Sequence, residues 1–410
     1  MKKIIWAFIS VVLVLSMLMS IPASAAWAWT WTKTNQLAPD EDKYAFSFAL
    51  VGDTQSLAML DANTEKTDSG WKFDTNSHIK KGYMSTLYTW IANNAETKKI
   101  AYVFGLGDIT QNRNTNEGKK EFEAAKEAWS VLNGKVPYSL VRGNHDAMGL
   151  YQEYVCDEEY VAQFDGVYSS GSNVGRSTYK KLDVGGMKFL LLSLDFGAND
   201  TVLNWACSVV EENPDRQVIL STHGYLADKS RRTSKEKNDY ISSTDGGYNL
   251  GEVIWEKLVS KYENMLMVLC GHMYADPMAL RTVKGTNGNT VYEIMFNPQD
   301  YDQQKEPTGM VAMMYFSNDG KNCWLEYYST IKDEYCKLST VRLPFATPLV
   351  AETEAPATTV APPETTVAPE TTTAEEKSGG CKGMMFMPAL PVSVGCAAFA
   401  VRKRKKALSK

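Results

Sequence analysis

The chain has 410 residues, 44% of them hydrophobic and 22% charged, a globular composition long enough for one large domain or two small ones. Its 43 basic and 48 acidic residues give a net charge of −5, but eight basic residues and no acids lie in the two ends, leaving 35 against 48 between them, a net of −13. An exterior that acidic excludes nonspecific binding of nucleic acid or anionic lipid, so no nucleic-acid groove is expected, and an anionic substrate must be drawn in by something local and positive.

Residues 1–25 read as a signal peptide. Lys2 and Lys3 precede an apolar run from Ile4 to Met19, and Ala23-Ser24-Ala25 supplies the small-residue cleavage site. An uncleaved N-terminal anchor is the alternative. Residues 26–43 form a short N-terminal segment before the globular region, 44–345.

A single pattern repeats through the globular region. A short apolar run rich in β-formers ends in a carboxylate, amide or imidazole. Phe46–Val51 leads to Asp53, Thr54 and Gln55; Ile100–Phe104 to Asp108; Tyr138–Val141 to Asn144, His145 and Asp146. Phe189–Leu192 leads to Asp195, Val218–Leu220 to His223, and Met265–Leu269 to His272. Helical spacing separates several of these runs: Ile79, Tyr83, Leu87 and Trp90–Ile91; then Phe122, Ala125, Trp129 and Leu132, stopping at Gly134; then Ile254, Leu258 and Val259. Alternation of this kind predicts strands buried between helical layers, with polar residues gathered at the strands' carboxyl ends. From Val283 onward the texture changes to short alternating strands, at 291–296, 311–316 and 324–328.

Residues 351–380 are rich in Thr, Pro, Ala and Glu and carry Thr-Thr-Val-Ala-Pro twice, at 358–362 and 365–369, so they have little to bury and read as an extended linker. Residues 384–401 contain no charge and, at about 1.5 Å per residue, just cross a bilayer core. The basic tail 402–410 starts with five consecutive Lys or Arg residues and fits a cytoplasmic stop. Seven cysteines in a chain this long make no disulfide scaffold, and no pair has zinc-ligand spacing. Cys396 falls in the anchor and Cys381 just outside it. Cys323 and Cys336 are candidates for one bridge, with free buried thiols the equal alternative.

Of the four histidines, three sit at strand ends together with Asp53, Asp108 and Asn144, a donor set that suits a divalent metal. The fourth, His78, lies at a predicted helix start and is expected to be exposed. Gly52-Asp53, Gly107-Asp108, Gly143-Asn144-His145-Asp146, His223-Gly224 and Gly271-His272 also follow the order of a known signature. The chain resembles the calcineurin-like metallophosphoesterases from about Tyr44 to Tyr328. The resemblance implies an α/β fold, a four-layer sandwich with helices outside two packed mixed β-sheets, and two divalent metal ions, with manganese, iron and zinc as candidates.

Position by position, the resemblance implies that Asp108 bridges the two ions and that Asn144, His223 and His272 complete one site. His145 is expected beside the substrate phosphate as proton donor or charge stabiliser, and Gly52 and Gly143 let the backbone turn tightly under the ligands. The other site keeps Asp53 and Asp108, but Gln55 and Tyr274 stand where the family usually has histidines. One ion should therefore be held tightly and one weakly, with Asp276 a candidate substitute ligand. Arg142 is either a phosphate contact or a solvent-facing strand-end residue, and Arg231 and Arg232 either rim the cleft or face water. The implied activity is metal-dependent hydrolysis of a phosphate mono- or diester outside the cell, on a phosphorylated small molecule or a surface phosphoester. No phosphate-binding Gly-rich loop and no Gly-x-Ser-x-Gly elbow occurs, which argues against ATP-driven and serine-hydrolase chemistry. The rival reading is a surface-displayed binding module on a catalytically decayed phosphoesterase fold, and binding of the second metal separates the two.

Overall fold

All six apolar runs that end in polar residues form strands, and most are buried on both faces, which is why they read as continuous apolar stretches. The computed structural model describes residues 31–33, 40, 42–64, 82–113, 116–170, 174–239, 249–273, 278–302, 307–336 and 341–350. The expected signal peptide, linker, anchor and tail lie outside these residues, as do His78, Ile79, Tyr274 and Asp276. Among the described residues no helix is long and apolar enough to cross a membrane.

In chain order the first strands are β1 (Trp31–Thr32), β2 (Tyr44–Val51), β3 (Ile100–Gly105), β4 (Tyr138–Leu140), β5 (Gly166–Val167), β6 (Thr178–Val184), β7 (Met187–Ser193) and β8 (Gln217–Ser221). A small hairpin, β9 (Leu226–Asp228) and β10 (Arg231–Arg232), follows. The chain continues through β11 (Met265–Cys270), β12 (Leu280–Lys284), β13 (Thr290–Met295), β14 (Met310–Ser317), β15 (Asn322–Ser329), β16 (Glu334–Cys336) and β17 (Val341–Pro344). One sheet has the order β1-β16-β15-β14-β2-β3-β4, with β17 also paired to β15, and the other β12-β13-β11-β8-β7-β6-β5. Both are mixed. β2, β3 and β4 run parallel to one another, as do β7, β8, β11 and β13, while β14 lies antiparallel to β2.

Period-two alternation along β2 assigns its two faces. Phe46, Phe48 and Leu50 join the core between the sheets, with Phe189, Ile219, Met267, Leu269 and Phe316. Phe46, Phe48, Phe189 and Phe316 lie 4.8–5.7 Å apart, centroid to centroid, in every pairing, and so tie the two sheets together. Ala49 and Val51 face the other way, into a core shared with the helices Gln55–Ala62, Tyr83–Asn93 and Asn116–Trp129 through Leu57, Leu87, Ile91 and Phe122. On the outer face of the second sheet, Leu190, Leu220 and Val268 join Leu203, Ala206 and Val210 of the helix Asp200–Glu211 and Ile254 of the helix Gly251–Lys257. The layers are helix, sheet, sheet, helix.

Two of the helical spacings read from the sequence fall on helices Tyr83–Asn93 and Asn116–Trp129, the second running on to Leu132 in a 3-10 turn; of the third, only Ile254 lies in the helix Gly251–Lys257, and Leu258 and Val259 follow its end. The helix Asp200–Glu211 is not among those read from the sequence, although Asn199 caps it by accepting from the N–H of Val202 at 3.1 Å. Sheet pairing also reaches past the limits drawn from sequence, since Trp31 of β1 pairs with Cys336 and Val350 bridges to Met187. A bridge between Cys323 and Cys336 does not form. Tyr328 faces Tyr335, which sets Cys336 opposite Tyr327, four residues along β15 from Cys323. That separation is about 13 Å at ~3.3 Å per residue, against a limit of roughly 7 Å for bridged Cα atoms. Both are buried, and neither is part of a disulfide.

Candidate metal centre

The loops after β2, β3, β4, β8 and β11 bring the expected residues together. Ligand atoms of Asp108, His223 and His272 all lie within 4.8 Å of one another. His223 Nε2 is 3.2 Å from Asp108 Oδ2 and 3.2 Å from Asn144 Oδ1. Its Nδ1 lies 2.8 Å from the Leu106 carbonyl oxygen, to which it must donate, so in the neutral ring the Nε2 lone pair is the one turned toward the carboxylate and the amide oxygen. Three lone-pair atoms facing one another repel unless positive charge sits among them, so the donor set fits a cation. The same field acts on the ring. Burial would lower the His223 pKa, but the carboxylates of Asp108 and Asp53 outweigh it and push it up to about 9.

Asp53 is fully buried beside this group and accepts from the His272 N–H at 3.1 Å. Burial, then the negative charge of Asp108, raises its pKa well above the ordinary range, with His223 opposing. Asp108 goes the other way: burial works against ionisation, yet His223, His145 and His272 hold its pKa below the ordinary range. Of the two carboxyls, Asp108 is thus the one that keeps its charge. Gln55 adds a second sign of fit. Its side chain is fully buried two residues from Asp53, and neither carboxamide atom has a hydrogen-bond partner, at a cost of roughly 1–3 kcal/mol for an unsatisfied buried group.

Backbone strain concentrates here. Asp53, Asp108 and His272 have φ of 35°, 49° and 77°, a left-handed conformation that costs a non-glycine residue about 1–3 kcal/mol. Gly143 is required by close approach, since a Cβ there would lie 2.1 Å from Asp108 Oδ1. Gly52 serves the same purpose rather than a tight turn, a Cβ there lying 2.0 Å from the Phe296 carbonyl oxygen.

His145 stands beside the ligands. Its N–H donates to Asp108 Oδ1 at 2.8 Å, and its ring Nδ1 lies 3.0 Å from the Gln111 carbonyl oxygen. Asp146, to which the sequence pattern assigns no separate role, ties two ligand loops together by accepting from the N–H groups of Ile109, Thr110 and Gly143. Gln111 and Arg113 escape the pattern too; Arg113 donates to the Asn144 carbonyl oxygen.

The arginines differ from expectation. Arg142 is fully buried and donates to Asp195 Oδ1 at 2.7 Å, so it neither faces solvent nor stands free for phosphate. Asp195, at the end of β7, also meets Arg176 at 3.3 Å. Arg232 is buried against Glu293 at 2.6 Å and lies 3.8 Å over the Trp255 ring, while half-buried Arg231 pairs with Asp239. All three are engaged in ion pairs; Arg142 and Arg232 are buried, while Arg231 keeps 34% of its side chain exposed.

The chain belongs to the calcineurin-like phosphoesterase family, whose model matches residues 46–276, more than half its length. It is similar to YvnB, an uncharacterized protein of Bacillus subtilis strain 168, at 27% identity over 191 residues, 45% of this chain but 13% of that longer protein. Among solved structures it is similar to GAP50, the anchor in the inner membrane complex of Plasmodium, at 12% identity with a TM-score of 0.41, over 74% of this chain and 90% of that one. It is also similar to a phosphatase from Mycoplasma pneumoniae, at 11% identity with a TM-score of 0.32, over 76% of this chain and 98% of that one.

Proposed function

We propose that this chain is a metal-dependent phosphoesterase that hydrolyses a phosphate mono- or diester outside the cell, tethered to the membrane by residues 384–401. Its family implies phosphoester hydrolysis. The observation that carries metal dependence is the convergence of Asp108, Asn144 Oδ1 and the Nε2 of His223, with His272 beside them and no proton among the facing atoms of the neutral ring. Asp108, Asn144, His223 and His272 would hold one divalent cation, and Asp53, Asp108 and Gln55 a second. Cations bound there would supply Lewis-acid charge for a phosphoryl group. Asp108 carries the shared negative charge, the Leu106 carbonyl fixes the His223 ring, and His145 presents an imidazole beside the ligands for the phosphoryl oxygens or the leaving group.

The two sites differ in donors. The first has two imidazoles and the second none, and imidazole suits zinc, iron or manganese better than an amide does. Calorimetric titration of the metal-free protein with manganese or zinc should resolve one tight and one weak ion, and hydrolysis of p-nitrophenyl phosphate or bis-p-nitrophenyl phosphate should keep rising after the tight site fills. Tyr274→His should move that rise to lower metal concentration. One bound ion and no turnover at any metal concentration would overturn the reading and favour a binding module. Placement outside the cell has its own test. Protease added to intact cells should release the catalytic region by cutting within 351–378, and protection until lysis would refute it.

A further inference from the structure

Away from the metal ligands, the second sheet carries a cavity of about 450 Å³. It lies at the starts of β8, β11 and β13, where Gln217, Asn264 and Thr290 line it, whereas His223 and His272 follow the opposite ends of β8 and β11. The length of β11 alone sets the two places about 17–20 Å apart. The segment after β17 makes the other wall, and it is tied down. The Phe345 N–H donates to the Lys321 carbonyl oxygen at 2.8 Å, the Leu349 N–H to that of Gly320 at 2.9 Å, and Val350 bridges to Met187.

The amides of the first wall have their orientation fixed. Asn264 Nδ2 donates to the main-chain oxygens of Arg216 at 2.9 Å and Asn213 at 3.3 Å, and Asn287 Nδ2 to that of Lys261 at 2.8 Å. A carbonyl oxygen only accepts, so neither carboxamide can turn over. Each has its donor end committed, and its oxygen is left without a partner among the described residues. Asn289 is held in the same way by the Tyr262 and Met265 oxygens, but its Oδ1 is closed off from solvent and shapes the wall instead. Exposed Glu263 also lines the cavity, and its carboxylate has no ion-pair partner among the described residues. Among those residues no lysine or arginine lines the cavity; Lys284 meets the wall at Thr290, whose hydroxyl accepts from its ammonium at 2.7 Å. The half-buried Phe345 ring, 6.2 Å from the Tyr292 ring between centroids, adds an aromatic surface.

A wall of committed donors, spare oxygens and one free carboxylate selects a ligand that donates hydrogen bonds and carries positive charge. A bare metal ion would leave most of the cavity unfilled, and an anion would meet Glu263. From this arrangement we propose that the cavity is a second, non-catalytic binding site for a small aliphatic amine. Its ammonium is taken by Glu263 and the carboxamide oxygens of Asn264 and Asn287, and its chain lies along Phe345. The acidic exterior steers cations to such a site. Gln217, whose carboxamide is unbonded among the described residues, can turn to meet a hydroxyl elsewhere on the ligand. The site is independent of phosphoester hydrolysis at the metal centre.

The probes are 5-aminopentan-1-ol and pentane-1,5-diol, which differ in one group, an ammonium against a hydroxyl at pH 7.5. Calorimetric titration of the full chain should give the amine a Kd of about 1 mM or tighter, and the diol binding at least about tenfold weaker. Glu263→Gln should weaken the amine by about threefold or more, and Lys284→Met should tighten it by about twofold, since one removes an attracting charge and the other a repelling one. Both residues are exposed and distant from the metal ligands, so both variants should fold and leave p-nitrophenyl phosphate hydrolysis unchanged. Equal binding of amine and diol would overturn the proposal, because the cavity would then serve neutral polyols. No heat from the amine at tens of millimolar would overturn it as well. So would amine binding that Glu263→Gln leaves unaltered, since the amine would then sit elsewhere on the chain.

Discussion

Replacing Asp146 by asparagine exchanges one atom for another of similar size, yet it should cost a large share of what deleting the side chain costs. The carboxylate Oδ2 accepts from the N–H groups of Ile109 (3.1 Å) and Gly143 (2.8 Å), and Oδ1 from the N–H (2.9 Å) and hydroxyl (3.1 Å) of Thr110. Burial and the neighbouring Asp108 raise its pKa, but the four groups around it can all donate, and only the ionised form can accept from them all. Asparagine offers an oxygen on one side only. Its better orientation turns Nδ2 toward Thr110, whose hydroxyl can rotate to accept, and leaves the Thr110 N–H unpaired. An orphaned buried N–H costs about 1–3 kcal/mol, and loss of the charge assistance adds to it, so Asp146→Asn should lose roughly 2–4 kcal/mol. Asp146→Ala orphans three N–H groups and should lose roughly 3–6 kcal/mol. Urea unfolding of the metal-free protein, followed by tryptophan fluorescence at pH 7.5, measures both. An asparagine variant within about 0.5 kcal/mol of wild type would refute the account, because that is the range of an indifferent surface change.

Asp302 should make stability depend on pH. Burial lifts its carboxyl from the ordinary 3.8 to about 6, while Oδ1 accepts from the Thr308 N–H, the Thr308 hydroxyl and the Gly309 N–H, and Oδ2 has no partner. Because the folded pKa lies above the unfolded one, its contribution is intact below about pH 4 and is lost as the pH rises through 6. Asp302→Asn keeps the accepting oxygen and cannot ionise, so it should add about 2–3 kcal/mol at pH 7.5 and nothing at pH 4; a difference that does not vary with pH refutes this. Asp61 accepts from the N–H groups of Gly82, Tyr83, Met84 and Ser85 at 2.7–3.2 Å, capping the helix Tyr83–Asn93 from outside it. Asp61→Ala should cost ~1–2 kcal/mol and speed hydrogen exchange in that helix first, and unchanged exchange there would count against the cap. His145→Ala should lower turnover by about 100-fold with bound metal unchanged, whereas loss of metal with activity would make His145 a ligand.

The strands that position the site were legible because burial on both faces leaves an apolar run, and each run is broken where a polar side chain is needed. Phe46–Val51 and Met265–Leu269 became β2 and β11 with little change of limits. What stayed hidden depends on partners distant in sequence. Arg142 looked like a solvent-facing strand end, because nothing near it indicates Asp195, 53 residues on. The link from Gln111 to His145 spans 34 residues and one main-chain oxygen, which no composition or periodicity records. β6 leaves no apolar run in the sequence, because its residues alternate between half-buried and exposed and include Lys180, Lys181 and Asp183. The helix Gln55–Ala62 is only eight residues long and its apolar residues Leu57, Ala58, Met59 and Leu60 are consecutive, so it leaves no helical spacing in the sequence.

Strand-end carboxylates cannot be told apart by position alone, and the counter-charge distinguishes them. Asp195 follows β7 just as Asp108 follows β3, and both are carried by parallel strands. Asp195 is met by two guanidinium groups, Arg142 at 2.7 Å and Arg176 at 3.3 Å, so its charge is balanced within the chain. Asp108 is met by the His145 N–H and by His223 Nε2, and Asp53 by the His272 N–H. An N–H group carries only a partial charge, and an imidazole is positive only when protonated. The balancing charge at Asp108 must therefore be protons on the imidazoles around it, His223 first, or a cation from outside the chain. A divalent cation and the His223 proton compete for the same lone pair, so loading the tight site should release protons, in a number that calorimetry in buffers of different ionisation enthalpy can count. No proton release on filling that site would mean that His223 does not hold the ion.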